Sequence, residues 1–362
     1  SEAPALRGSL TAEGRNLGAV LRQFGEGAGG PPSPQLAQDF RASAEIRADD
    51  STITARELDL QLGEISGGGQ LDVTLAEPLD VRAKLRVQQI DVDRLMALEN
   101  SAEGGDGGQA AGGDGGGVGL TVPTGVHGEL DLQVDAVVYR GQVIRQGRLN
   151  AVLDKGTLTL NQVMALLPGG SDAALFGTVT GGPNGPTFDG RVEAASDNLR
   201  AIFDWFGVDV EEVPADRLRR MSLLANVAGT PKQLQVTGID LQVDTMNISG
   251  GVAVALRKRP GFGIGLSVDS LNLDAYLPRA EAAAGQETAA AEGGAGEPAA
   301  ALGLAGLLGG FDANFDLRAG AVTYGGETAR NVSFDATLNK GQLTVRQASV
   351  GELAGSSLTV SG

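Results

Sequence analysis

The sequence has no cysteine and a single histidine, His127. The first absence removes disulfides, thiol nucleophiles and thiolate metal sites, and is neutral about redox compartment. The second leaves Ser-His-Asp and Cys-His catalysis, and histidine-rich metal sites, almost nothing to work with. Aromatic residues are scarce: 10 Phe, 3 Tyr and 1 Trp in 362 residues. An enzyme of this length usually places more aromatic mass in its core and pocket. Here the apolar content is Leu, Val, Ile and Ala. No run of about 18 apolar residues occurs, so no membrane-spanning helix is expected. No signal peptide opens the chain, and "SEAPALRGSLTAEG" reads as mid-chain sequence, so a fragment of a longer chain is expected. Basic charge is also short: the net charge is −17. Nucleic-acid binding needs a basic footprint, and charge-driven binding to an anionic membrane surface is disfavoured on the same count. The acidity reads as solubility.

What is present is repetition. "ISGG" occurs at 65–68 and again at 248–251, each time after an alternating run, "ELDLQL" (57–62) or "GIDLQV" (238–243). "NLGAVLRQFG" (16–25) matches "NLRAIFDWFG" (198–207). "VVYRG" (137–141) matches "VTYGG" (322–326), and "LNAVLDKGTLTLNQ" (149–162) matches "FDATLNKGQLTVRQ" (334–347). "TVTG" (178–181) matches "TVSG" (359–362). The spacing drifts between 181 and 185 residues, as loop insertions would cause. Two copies are expected, 1–189 and 190–362, each completing its neighbour's core in one continuous sheet.

Within each copy the period is two. In "LDVRAKLRV" (79–87), Leu79, Val81, Ala83, Leu85 and Val87 fall on one face and Asp80, Arg82, Lys84 and Arg86 on the other. That is a strand with one wet and one dry face. "SGGG" (66–69), "DKG" (154–156), "NKG" (339–341) and "GGPNGP" (181–186) read as turns, and hairpins make the sheet antiparallel. Helices are expected over 16–25 and 198–207, the latter capped by Ser196 or Asp197 and stopped by Gly207. Shorter helices are expected over 90–98 and 271–278. The Gly- and Ala-rich segments 99–119 and 279–300 read as flexible loops.

The dry face is expected to carry the function. Its residues in the first copy are Leu58, Leu60, Leu62, Leu71, Val73, Leu75, Val81, Leu85, Leu130, Leu132 and Val134. In the second they are Ile239, Leu241, Val243, Val252, Val254, Leu256, Ile264, Leu266, Phe315 and Leu317. Each large side chain left wet forgoes about 1.5–3 kcal/mol, so something must cover this face. The sheet can close on itself as a sandwich or barrel, curl into a trough for an apolar ligand, or meet a protein partner. An aliphatic, aromatic-poor surface matches acyl chains.

Catalytic constellations do not survive inspection. The glycine runs at 104–119 lack the strand–turn–helix context of a dinucleotide loop. "DVEEVPAD" (209–216) reads as a solvated loop, and His127 as a surface histidine at a strand entry. Tyr139 and Tyr324 read as structural anchors, and Trp205 as core. No enzyme activity, cofactor or metal is expected.

The residues carry one family likeness. "QVTGIDLQVDTMNISGGVAVALRKRPGFGIGLSVDSLNLDAYLP" (235–278) resembles the wording of AsmA-like proteins: a β run, (I/L)xGG, two further β runs, then "LxLDAYL". "FDLRAGAVTYGGETARNVSFDATLNKGQLTVRQASVGELAGSSLTVSG" (315–362) resembles that family's unit ending "LNxGxLxL…LAGGxLxxxG", with "GSS" (355–357) departing from the paired Gly. It is a patterned β repeat and not a catalytic signature. The resemblance implies a bacterial envelope protein, anchored in the inner membrane by an N-terminal helix that this sequence does not contain, and projecting into the periplasm. It implies a taco-like curved sheet whose apolar groove carries phospholipid between inner and outer membranes, meeting membrane proteins at its ends. The other reading is an assembly factor for the outer membrane that acts through protein partners by strand addition.

Overall fold

The computed structural model of the protein describes residues 5–19, 38–103, 122–183, 185–277 and 310–362. These are mainly β, 69% strand and 7% helix, in open sheet. The chain divides into two compact units, Ser1–Gly190 and Arg191–Gly362. The first holds β1 (Leu6–Gly14), β2 (Phe40–Ala48), β3 (Thr52–Leu62), β4 (Ile65–Thr74), β5 (Leu79–Asp91), helix α1 (Val92–Glu103), β6 (Val126–Tyr139), β7 (Gln142–Asp154), β8 (Thr157–Leu167) and β9 (Ser171–Thr180). Strand β10 (Thr187–Ser196) spans the boundary in sequence. The second unit continues with α2 (Leu199–Phe206), β11 (Met221–Thr230), β12 (Gln233–Val243), β13 (Met246–Ala255), β14 (Gly261–Asn272), a 3-10 turn (Leu273–Ala275), β15 (Asp312–Tyr324), β16 (Glu327–Asn339), β17 (Gln342–Leu353) and β18 (Ser356–Val360).

From β1 to β9, and again from β11 to β18, each strand pairs with the next in sequence. Two ladders depart from the antiparallel expectation. β5–β6 and β14–β15 are parallel. Parallel neighbours need a crossover of a dozen residues or more, and the chain between Asp91 and Val126, and between Asn272 and Asp312, provides it. The segments read as loops are thus the crossovers. Helix α1 extends five residues into the first of them, to Glu103, where an irregular loop was expected. The rest of both loops, 104–119 and 279–300, and the expected helix beyond residue 19, lie outside the described residues. Of that helix, one turn begins after Asn16, whose side chain accepts a bond from the Ala19 N–H at 2.9 Å.

The hairpin turns at 155–156 and 340–341 follow the sequence expectation. Lys155 and Gly156 have φ of 46° and 78°, and Lys340 and Gly341 of 50° and 82°. Both central residues in the left-handed region make the turn whose twist matches the flanking strands. "SGGG" is different: Gly67–Gly69 lie inside β4, and the β3–β4 turn falls at 63–64. The reason is a bulge. The β3–β4 register slips between Ala55 and Leu58, with Glu57 at φ 50°, and brings Gly69 opposite Leu58. A Cβ on Gly69 would lie 2.0 Å from the Lys84 carbonyl oxygen of β5. The second copy repeats this: β12 slips between Val236 and Ile239, with Gly238 at φ 57°, and brings Gly250 opposite Ile239. There a Cβ would lie 2.1 Å from the Gly265 carbonyl oxygen.

This register corrects the literal matching of the two copies. Gly69 pairs with Leu85 as Gly250 pairs with Leu266, an offset of 181 (250 − 69 and 266 − 85). The two "ISGG" words, 183 apart, are displaced by two residues from structural equivalence. "TVTG" and "TVSG" are displaced by four, because Leu175 pairs with Val163 as Val360 pairs with Ala348, an offset of 185 (360 − 175). An even displacement keeps the same side chains on the same face, which is why the words recur without being equivalent.

Helix α2 starts at Asn198 rather than Ser196 or Asp197, and stops at Gly207 with φ 74°. Ser196 is buried, and its hydroxyl accepts from the Asn198 N–H at 3.2 Å. Trp205 and Leu199 bury the inner side of the helix.

Candidate functional site

Facing residues on adjacent strands share a side of the sheet, so the register can be followed from strand to strand. In the first unit, Leu6, Ala48, Ile53, Val73, Val81, Gly128, Leu153, Leu158 and Val179 form one row across β1 to β9. A second row runs Gly8, Ile46, Ala55, Leu71, Ala83, Leu130, Ala151, Leu160, Gly177. A third runs Leu58, Gly69, Leu85, Leu132, Leu149, Val163, Leu175. Leu60 and Val134 lie in a fourth with Gly67 and Val87, and Leu62 pairs with Phe40 and Ile65. None of these rows contains a charged side chain. At about 4.8 Å between strands, a nine-strand row is roughly 38 Å long.

The second unit repeats the pattern. Leu223, Leu241, Ile248, Val268, Ala319, Val332, Val350 and Leu358 form a row across β11 to β18. Ile239, Gly250, Leu266, Leu317, Phe334, Ala348 and Val360 form the next. Val252, Ile264 and Phe315 fall in a third, Val254 in a fourth with Leu234 and Phe262, and Val243 pairs with Met221 and Met246. Leu75 and Leu256 lie one residue past the ends of β4 and β13, 51% and 50% exposed. Nineteen of the twenty-one residues assigned to the dry face therefore lie in strands and on one side of their own unit's sheet. Sequence reasoning missed the contribution of β7 to β9 and of β16 to β18. In β8 and β17 the alternation is broken by an extra residue, Asn161 and Arg346, left unpaired where the neighbouring strand runs on, which hides a period of two.

The opposite side is polar. Asp240, Ser249, Ser267, Arg318, Ser333, Ser349 and Thr359 form a row there. Arg86 donates to Asp135 through Nε and Nη2, at 3.0–3.2 Å, and Arg56 reaches Asp72 at 2.8 Å. Such exposed pairs contribute little stability, and they mark this side as a solvated polar surface.

The apolar side has no second layer among the described residues. The strands pair edge to edge in sheet that is not closed on itself. Most residues of the rows are half-buried, and Leu338 is the largest side chain fully enclosed among the described residues. A sandwich would enclose many. The self-closed alternative is thus not what either unit adopts.

The remaining singled-out residues have structural partners. His127 lies between Asp154, at 3.4 Å, and Glu129, at 3.7 Å. Within "DVEEVPAD", the Val210 and Val213 carbonyls accept from the Arg200 guanidinium at 2.7 and 3.0 Å, which ties the loop to α2. Tyr139 and Tyr324 end β6 and β15 before equivalent turns. Among the described residues no group of three or more His, Asp or Glu is placed to hold a metal ion. No family model matches the chain, and no curated protein and no solved structure matches it either.

Proposed function

We propose that the apolar face of each unit binds the acyl chains of phospholipid, and that the protein is a non-enzymatic lipid-binding and lipid-transfer module of the bacterial periplasm, acting between inner and outer membranes. The observation that carries this is the set of uninterrupted apolar rows left half-exposed without a covering layer. An apolar face left part-exposed across many adjacent strands marks an interaction surface. Its lining is aliphatic and offers few polar groups to orient a small polar ligand. The AsmA-like wording of 235–278 and 315–362 supports the compartment, an inner-membrane anchor and the membrane partners. Native mass spectrometry of the purified protein, followed by organic extraction, tests the reading. Phospholipid at one or more copies per chain is expected; a lipid-free mass that takes up no added phospholipid overturns it.

A second reading, an assembly factor acting through protein partners, draws on β18. All five of its residues are exposed, it carries no charge, and it pairs with β17. Such a strand is suited to strand addition. Co-purification of a protein without lipid would favour it.

A further inference from the structure

The chain is acidic, but one rim of the second unit is not. Three turns meet at the end of the sheet where β11 joins β12, β13 joins β14, and β16 joins β17. The Leu256 N–H donates to the Lys232 carbonyl at 2.8 Å, and the Asp312 N–H to the Pro260 carbonyl at 2.9 Å. The Lys340 N–H donates to the Asp312 carboxylate at 3.0 Å. Arg257 and Arg259 reach the same carboxylate at 3.2 and 2.6 Å. Arg257, Arg259 and the Lys340 backbone thus converge on Asp312, and Lys232 and Lys258 lie in the turns beside them. The Lys340 N–H first, and then the Arg259 guanidinium, hold that carboxyl below its usual range. Lys232, Lys258 and Lys340 are exposed, and their ammonium groups form no ion pair among the described residues.

The fold does not need this cluster. By the 181-residue offset, Arg257, Lys258 and Arg259 correspond to Ala76, Glu77 and Pro78 of the first unit, and Lys232 to Ser51. Only Lys340 has a basic counterpart, Lys155, in the matching turn. The flanking strands pair in the same register without the charge, Thr74 with Asp80 as Ala255 with Gly261. Exposed leucines share the rim: Leu234, Leu256 and Leu343 are 36%, 50% and 48% exposed. Lysines with apolar stems beside exposed leucines, at the open end of an apolar face, have the composition of a segment that lies in a lipid headgroup layer.

We propose that this rim docks the second unit onto an anionic phospholipid surface. The net charge of −17, which argues against such contact when averaged over the chain, does not govern it. At physiological salt the Debye length is about 8 Å, so distant carboxylates are screened while the rim meets the surface directly. The inference goes beyond acyl-chain binding, since docking requires no lipid in the face.

The test is flotation with vesicles of phosphatidylcholine containing phosphatidylglycerol, against vesicles of phosphatidylcholine alone. The protein is compared with K232Q/K258Q/K340Q, which leaves the Arg–Asp312 clamp intact, and with R41Q/R47Q/K84Q, which removes equal charge elsewhere. Binding to the anionic vesicles is expected. The rim variant should lose affinity about fivefold per lysine, roughly a hundredfold in all. The control variant should bind like the parent. Absence of binding, equal binding to neutral vesicles, or equal losses in both variants overturns the proposal. Lipid occupancy of the same variants, read by native mass spectrometry, separates the two claims. Retained lipid with lost docking supports docking as a separate function. Retained docking on a protein that holds no lipid leaves the rim standing and removes the transfer reading.

Discussion

Asp93 and Asp274 clamp equivalent hairpins in the two units. Asp93 accepts from the N–H groups of Arg140 and Gly141 at 2.7 and 2.8 Å. Asp274 accepts from those of Gly325 and Gly326 at 2.7 and 2.9 Å. Each aspartate follows the strand before a crossover, and each clamped turn follows the strand after it. The carboxylate therefore pins together the C-terminal ends of the two strands of a parallel ladder. Replacing either by Ala leaves two turn N–H groups to water and should cost about 1–2 kcal/mol. Urea unfolding measures this, and faster hydrogen exchange at the two turn amides should accompany it.

The glycines opposite the bulges should be intolerant of any side chain. Gly69→Ala and Gly250→Ala each put a methyl within about 2 Å of a backbone oxygen, and should destabilise by about 2 kcal/mol or more. Gly265→Ala, with open space around it, should stay within about 0.5 kcal/mol of the parent. Equal effects at all three positions in chemical denaturation would refute the close-approach argument.

Charge placed on the apolar side should separate binding from folding. Leu130→Glu with Leu132→Glu in β6, or Val252→Glu with Val254→Glu in β13, introduces carboxylates on a face open to water. Far-ultraviolet circular dichroism should keep its β signature while extracted phospholipid falls severalfold. Undiminished lipid in both double variants would mean that lipid is held elsewhere.

Tyr276 should titrate late. Partial burial, and then its 3.1 Å bond to the Asp244 carboxylate, push the phenol up to about 12 from 10.0. A raised folded pKa gives stability that is complete below the unfolded value near 10 and is lost as pH rises through about 12. Absorbance at the tyrosinate band should show one such late step, missing in Tyr276→Phe. Asp244 also accepts from the Leu218, Arg219 and Arg220 N–H groups, so the same variant reports on the packing of the loop after α2.

The β character, the one-sided faces and the tight turns were legible because they rest on local rules: alternation in "LDVRAKLRV", and Lys-Gly pairs that accept positive φ. The parallel ladders were not. Nothing local in 79–91 or 126–139 states which way its neighbour runs; that follows from the crossover, whose composition reads only as linker. "SGGG" misled because glycine serves turns and close backbone approaches alike, and only the bulge at Glu57 tells them apart. The basic rim was invisible because Lys232, Arg257 and Lys340 lie far apart in sequence, and a net charge averages over them.

The two parallel seams have a consequence for how the chain acquires this form. Each unit contains two four-strand meanders, β2–β5 with β6–β9 and β11–β14 with β15–β18, whose internal ladders close through short turns. Hairpins of that kind form in microseconds. The seams β5–β6 and β14–β15 must instead close loops of 34 residues (92–125) and 39 residues (273–311), at a larger entropic cost. On contact order, the seams are expected to form more slowly than the meanders they join. The Asp93 and Asp274 latches stand at the C-terminal ends of those seams.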